Sequence, residues 1–174
     1  MKSKGNRVVL FEDETGFSLH PKLGRIWAKR GSRPFVYTRS QHQKRLNIFG
    51  WVDLIQGSHG IMKWISGNTD GFIQMLRKIV YRFKGKTIDL WVDNARWHKG
   101  TRVDDFFAEH SFFHIHYLPA YHPELNYQER LWHTMRYEET TNVYFETISD
   151  LDNAVFTRSQ RWKPKKIKKL CQFT

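Results

Sequence analysis

Residues 7–14, Arg-Val-Val-Leu-Phe-Glu-Asp-Glu, join an apolar run to three successive acids. The run is apolar on both faces of an extended chain, which is typical of a strand buried inside a sheet. We expect this strand to end at its acids. A second strand of the same kind, residues 87–92, leads directly into Asp93. In a sheet where these two strands lie side by side, the strand ends can bring Asp13 and Asp93 together.

The rest of the chain alternates between strand-like and helix-like periodicity. We predict further strands at 25–29, 46–52, 60–65 and 112–118, and helices at 69–83, 101–110, 126–138 and 147–161. A meander followed by βαβ crossovers implies an α/β protein with a mixed sheet covered by helices. We expect one domain over residues 1–162 and a basic tail over residues 163–174.

Composition excludes several classes of protein. The chain has 174 residues, of which 40% are hydrophobic, so it is too apolar for a disordered protein. A single cysteine, Cys171, excludes a disulfide framework and a cysteine-rich zinc site. No apolar run approaches the length of a transmembrane helix, and the N-terminus does not resemble a secretory signal. We therefore expect a cytoplasmic protein that is associated with the nucleoid and binds no membrane.

Basic residues are concentrated in two acid-free stretches, and the net charge is +12. The first stretch contains Lys22, Arg25, Lys29, Arg30, Arg33, Arg39, Lys44 and Arg45, and the second contains Arg158, Arg161, Lys163, Lys165, Lys166, Lys168 and Lys169. Trp27 and Trp162 lie within them, and basic with aromatic side chains suit a DNA backbone with unstacked bases. The predicted DNA-binding residues are Lys22, Arg25, Lys29, Arg30, Arg33, Lys165 and Lys166. For residues 163–169, a merely solvated tail is the alternative.

Three carboxylates, those of Asp13, Asp93 and Glu129, each lie at the end of a predicted element. Carboxylates crowded together repel one another, and a bound hard cation such as Mg²⁺ relieves that repulsion. Two such ions can activate a nucleophile and stabilise the leaving oxygen of a phosphodiester. The alternative is that these acids are only solvated or capping groups.

Four motifs occur in order along the chain: Phe11–Thr15, Trp27–Pro34, Val92–His98 and Leu118–Trp132. Together they resemble the motifs of mariner-type DDE superfamily transposases, in the bacterial insertion-sequence branch. Between Asp93 and Glu129 lie 35 residues, close to the gap that the family keeps. The resemblance implies a ribonuclease H-like fold, with a mixed five-stranded sheet and helices on both faces.

The resemblance also implies an activity and its partners. Asp13, Asp93 and Glu129 would be the catalytic residues and would ligate two Mg²⁺ (or Mn²⁺) ions. Water would release the transposon end, and the freed 3′-hydroxyl would attack target DNA. The implied partners are transposon ends and target DNA, and the implied assembly is a homodimer or a larger complex on DNA.

Other polar residues near these motifs are secondary candidates. Asn94 and His98 could orient substrate or water, and Asn126 could cap the helix that carries Glu129; for each, a purely structural role is equally open. Glu124 competes with Glu129 for the third position, but Glu129 matches the family's Glu-Arg-Leu-Trp better.

Two smaller hypotheses concern the strands. On an extended strand, Glu12 and Glu14 point away from Asp13. His114 and His116 share one face of a strand and could form a metal pair, although no third ligand is evident.

The front of the chain departs from the family pattern. Family members usually carry helix-turn-helix domains before the catalytic domain, whereas here the first strand begins within the first ten residues. We expect that domain to be absent, or to be supplied as a separately encoded DNA-binding part. A second reading frame, a decayed copy and a truncated gene remain open as explanations. The alternative function is therefore an inactive transposase remnant that only binds DNA. A different nuclease of the same fold is a third hypothesis, which the motifs disfavour.

Overall fold

The computed structural model describes residues 6–38 and 44–171; Arg39 lies outside them. The strands are β1 (Arg7–Ser18), β2 (Arg45–Asp53), β3 (Ser58–Trp64), β4 (Thr87–Val92) and β5 (Phe113–Tyr117). The helices are α1 (Thr69–Arg82), α2 (Thr101–Glu109), α3 (Tyr127–Met135), α4 (Ile148–Arg161) and α5 (Pro164–Leu170). Short 3₁₀ turns cover Arg96–His98 and Pro123–Leu125, and a π-helical turn, Arg136–Thr140, follows α3.

The five strands form one sheet in the order β3-β2-β1-β4-β5. The β1–β2 and β2–β3 pairs are antiparallel, and the β1–β4 and β4–β5 pairs are parallel. Parallel neighbours require crossover connections, which α1 and α2 provide. The prediction of a mixed five-stranded sheet with a meander at its start is confirmed.

Strand β1 is longer than we predicted, because it continues through the three acids to Ser18. Its parallel pairing with β4 ends at Phe11, whereas its antiparallel pairing with β2 continues along the whole segment. Asp13 therefore lies inside a strand, just beyond the point where β4 stops pairing with it. The hydrogen bonds of β2 keep the acidic segment extended.

The predicted strand at residues 25–29 is wrong, because this segment has no regular structure. No strand in the described part of the chain pairs with it. Instead, the Asn142 side chain accepts a hydrogen bond from the Gly24 N–H at 2.9 Å and donates one to the Gly24 carbonyl at 3.2 Å. A side-chain amide thus stands in for a strand partner beside the segment.

Each face of the sheet carries its own hydrophobic core. On one face, α1 and α2 pack over Leu10, Leu90 and their neighbours. On the other face, α3, α4 and α5 pack over Phe11 and Ile48. The alternation of side chains along β1 places Asp13 on the α3 face and Glu12 and Glu14 on the α1 face.

The predicted basic tail is instead largely part of the domain. Residues 164–170 form α5, and Ile167 and Cys171 are buried in the core on the α3 face. Lys166 donates hydrogen bonds to both carboxylate oxygens of Glu138, at 2.5 and 2.8 Å. The prediction of a tail was wrong because it rested on the lysines and did not take account of the apolar residues between them.

Among the helices that the structure describes, none combines the length and the apolar character that a membrane span requires.

The buried Asp89 of β4 pairs with Arg7 of β1 and with His116 of β5. Asp89 is 4% exposed and accepts hydrogen bonds from the Arg7 guanidinium, and the His116 Nε2 lies 2.9 Å from its Oδ1. The Arg7 hydrogen bonds lower the pKa of Asp89 to about 2, although burial opposes the shift. His116 is therefore engaged with Asp89.

We expect Asp89→Asn to lower the free energy of unfolding at neutral pH by roughly 1–2 kcal/mol, because it removes the carboxylate that pairs with Arg7. The expected loss is no larger because Arg7 is largely exposed and its charge is screened by solvent. The folded pKa lies below the unfolded value, so the contribution is complete above about pH 4 and is lost as the pH falls towards 2. Urea unfolding between pH 2 and 7 measures this. Asp70→Asn, which removes the exposed pair with Arg102, is the control and should change little. Equal pH profiles for wild type and Asp89→Asn would contradict the prediction.

Candidate active site

One cavity of about 420 Å³ lies beside the end of β4. Its lining includes all three carboxylates singled out in the sequence, those of Asp13, Asp93 and Glu129. Asn94 and Asn126 also line it. Residues that lie 80 and 36 positions apart along the chain are therefore gathered at one opening.

Each carboxylate comes from a different element. Asp13 lies in β1 opposite Gly50, Asp93 follows the last residue of β4, and Glu129 lies in the first turn of α3. The Asn126 side chain caps α3 by accepting from the Gln128 N–H at 3.2 Å, and its amide donates to the carbonyl of Glu12 at 2.9 Å. Asn126 therefore fastens the start of α3 to β1, next to Asp13.

Asp13 is the most confined of the three. Burial, followed by the charges of Glu129, Glu14 and Asp93, raises its pKa well above the usual value. Its Oδ2 is buried and has no hydrogen-bond partner among the described residues. A buried carboxylate oxygen without a donor is costly unless a proton or a cation satisfies it.

The donors suit a divalent cation. All three are hard carboxylate oxygens, which Mg²⁺ and Mn²⁺ prefer, and the unpartnered Oδ2 of Asp13 is available as a ligand. No choice of one oxygen from each carboxylate brings all three within 4.8 Å of one another. The carboxylates are thus more widely spread than the ligands of one compact site.

Glu12 and Glu14 point to the opposite face of the sheet, as predicted, and there they meet His98. The His98 Nε2 lies 3.0 Å from Glu14 Oε1 and 3.6 Å from Glu12 Oε2. Its Nδ1 lies 2.9 Å from Asp93 Oδ1. The contact of His98 with these glutamates could not be predicted from the sequence, because it joins residues more than 80 positions apart.

Charges in this cluster shift each other's pKa. Burial opposes the charged form of His98, but hydrogen bonds to Asp93 and Glu14 and the charge of Glu12 raise its pKa to about 11. The hydrogen bond from His98 lowers the pKa of Asp93, with a further contribution from the Ala95 N–H. Burial raises the pKa of Glu12. His98 is therefore a cation between carboxylates, and Asp93 stays ionised.

The contacts of the remaining candidates, Asn94, Glu124 and His114, show which of them belongs to the cavity. Asn94 donates to the Leu118 carbonyl at 2.6 Å and accepts from Lys99 at 2.9 Å, so its side chain joins the ends of β4 and β5. Glu124 is exposed, bonds to His122 and does not line the cavity. His114 is exposed, and no third metal ligand accompanies it in the described parts of the chain.

The predicted DNA-binding residues occupy two surfaces. Lys22 and Arg25 line a second cavity of about 800 Å³ together with Trp27 and Tyr137, and Trp27 is fully exposed. Lys29, Arg30 and Arg33 follow in the same irregular segment and are exposed. On α5, Lys165 is exposed, but Lys166 is paired with Glu138. Trp162 is buried, so it offers no stacking surface.

Comparison with known proteins shows the family to which the chain belongs. A family described as DDE superfamily endonuclease matches residues 8–152. The uncharacterized 39 kDa protein of insertion element IS630 from Shigella sonnei is 32% identical over 139 residues, which are 77% of this chain and 39% of that protein.

Solved structures of Mos1 transposase share the fold. The Mos1 mariner paired-end complex with Mn superposes with a TM-score of 0.71 at 16% identity, over 94% of this chain and 51% of that chain. The catalytic domain of Mos1 mariner transposase gives a TM-score of 0.62 at 14% identity, over 95% and 75%. The chain thus spans well under half of the Shigella protein and about half of the Mos1 chain in the complex. It belongs to the DDE superfamily endonucleases and has the ribonuclease H-like fold that its resemblance to mariner-type transposases implied.

Proposed function

We propose that this chain is a transposase catalytic domain that cleaves DNA strands at transposon ends and transfers them to target DNA. The observation that carries the proposal is the gathering of Asp13, Asp93 and Glu129 around one cavity, with a buried and unpartnered oxygen on Asp13. Membership of the endonuclease family supports it. The Mos1 structures with Mn and with a transposon end support the choice of metal and substrate.

Asp13, Asp93 and Glu129 are the proposed ligands of two Mg²⁺ or Mn²⁺ ions. The number of two ions comes from the resemblance to mariner-type transposases. When bound, such ions activate the attacking oxygen and stabilise the leaving oxygen of the phosphodiester. The protein's own part is to hold the carboxylates in place: β1 and β2 fix Asp13, and Asn126 fixes the helix that carries Glu129.

DNA contacts are proposed for the basic residues of the irregular segment and of α5. Lys22, Arg25, Lys29, Arg30, Arg33 and Lys165 would contact phosphates, and Lys166 contributes less because Glu138 neutralises it. Trp27 lies within this segment, is fully exposed and can stack on an unpaired base. The proposal also includes assembly as a homodimer or a larger complex on DNA and association with the nucleoid.

Mn²⁺-dependent nicking of supercoiled plasmid by the purified chain tests the activity. We expect the wild type to nick in Mn²⁺ but not in EDTA, and Asp93→Asn to bind DNA without nicking it. Asp105→Asn is the control, since it removes an exposed acid of α2 that lies outside the cavity. If the wild type and Asp93→Asn both bind and neither nicks, the inactive DNA-binding remnant becomes the better account.

A further inference from the structure

His98 connects the two faces of the sheet. Its ring is fully buried, with Nδ1 2.9 Å from Asp93 Oδ1 in the cavity and Nε2 3.0 Å from Glu14 Oε1 on the opposite face. Each ring nitrogen therefore faces a carboxylate, and the two carboxylates lie on opposite faces of the sheet. The cavity carboxylate and the glutamate behind the sheet are therefore connected through one ring.

The surroundings hold this ring in place. Trp97 Nε1 donates to Glu14 Oε1 at 2.6 Å, which fixes the glutamate that faces Nε2. Tyr117 donates from its hydroxyl to the His98 carbonyl at 2.8 Å, and the ring of Phe72 packs with its centroid 4.4 Å from that of His98. The backbone of His98, its Nε2 edge and one face of its ring are therefore all in contact with neighbouring groups.

The position of His98 determines which oxygen of the Asp93 carboxylate is free to bind a cation. Asp93 Oδ1 lies 2.9 Å from His98 Nδ1 and accepts a hydrogen bond from the Ala95 N–H at 2.8 Å, and the same Nδ1 lies 3.2 Å from the Asp93 backbone carbonyl. Its Oδ2 receives no hydrogen bond from any described residue. The two donors therefore occupy one oxygen and leave the other available to a cation, although Asp93 follows the last residue of β4 and its side chain is half exposed.

We propose that His98 is a positioning residue that, anchored by Glu14 from the opposite face of the sheet, holds the Asp93 carboxylate so that its Oδ2 is presented to the metal. This inference rests on the proposed metal site. Without this contact, the partly exposed Asp93 side chain would sample several rotamers. Metal binding would then have to fix one rotamer, and the lost conformational entropy would weaken the affinity. Residues that orient metal ligands in this way are typically worth about 10–100-fold in metal affinity.

Mn²⁺ affinity, measured from the electron paramagnetic resonance signal of free Mn²⁺, is the readout and requires no turnover. We expect His98→Gln to weaken Mn²⁺ binding about 10–100-fold and Glu14→Gln to weaken it less. His114→Gln is the matched control, because it makes the same chemical change at an exposed histidine that does not line the cavity. Its affinity should equal that of the wild type.

A double-mutant comparison separates positioning from general damage. If His98 acts through Asp93, His98→Gln has no further effect on Mn²⁺ affinity in an Asp93→Asn background. An equal loss in both backgrounds, or wild-type affinity in His98→Gln, would overturn the inference. If His98→Gln does not fold, Glu14→Gln and its combination with Asp93→Asn replace it. A stoichiometric metal held by Glu12, Glu14 and His98, lost on Glu14→Gln, would also overturn it. A wild type that binds no Mn²⁺ at all would refute the proposed metal site itself, a result distinct from any variant effect.

Discussion

Glu129→Gln is expected to reduce Mn²⁺-dependent nicking about a thousandfold or more, since a lost metal ligand removes several kcal/mol of transition-state stabilisation. Glutamine keeps the size of the side chain and removes its charge. Glu129 lies in the first turn of α3 and lines the cavity with Asp13 and Asp93. The substitution therefore tests the third ligand with little change in packing.

Glu124→Gln is the matched control, because Glu124 lies only five positions earlier in the same motif. It is exposed, is bonded to His122 and is not part of the cavity lining. Its nicking rate should stay within about twofold of the wild type, as for a surface substitution. Rates are compared at saturating Mn²⁺, with DNA binding measured separately for each variant. If Glu124→Gln were inactive and Glu129→Gln active, the third ligand would be Glu124, and the assignment of Glu129 would be wrong.

The sequence was sufficient to predict both central strands and the position of Asp93, because an apolar run followed by an acid is a local pattern. The end of β1 could not be predicted in this way. Residues 12–18 stay extended because β2 pairs with them, and that pairing joins segments more than 25 residues apart. The choice of Glu129 over Glu124 came from the family motif, and the Asn126 cap of α3 agrees with it.

The parts of the site that could not be predicted all depend on contacts across the sheet. Periodicity predicted that Glu12 and Glu14 face away from Asp13, but it could not predict that His98 contacts them on the opposite face of the sheet. Helix α5 was also missed from the sequence, because the contacts that stabilise it are made with residues distant in the chain. It is stabilised by burial of Ile167 against the core and by the pairing of Lys166 with Glu138.

Trp132→Ala is expected to lower the free energy of unfolding by about 3 kcal/mol, at the lower end of the usual range for a buried tryptophan. Trp132 is 1% exposed and packs from α3 onto β1 and β2, with its ring edge-on to Phe17 at a centroid distance of 6.3 Å. The lower end applies because its Nε1 is buried without a partner among the described residues, so the substitution also removes an unsatisfied donor. Trp27→Ala makes the same chemical change at a fully exposed position and should alter stability by less than about 0.5 kcal/mol. Urea midpoints compared at equal slope measure both, and a loss below about 1 kcal/mol for Trp132→Ala would contradict this account of the core.

Gly50 explains why the tryptophan fits so closely. A Cβ added at Gly50 would lie 2.5 Å from the Trp132 ring and 2.9 Å from the Gln128 amide nitrogen, so the strand approaches α3 only because it carries no side chain there. Gly50→Ala alone should therefore cost about 1–3 kcal/mol through overpacking. In the Trp132→Ala background the ring is gone and the same substitution should cost less, so the two losses are not additive. Because Gly50 pairs with Asp13 and Trp132 shares α3 with Glu129, this contact also sets the distance between two of the proposed metal ligands. Either single variant, assayed while folded, should then bind Mn²⁺ more weakly than the wild type.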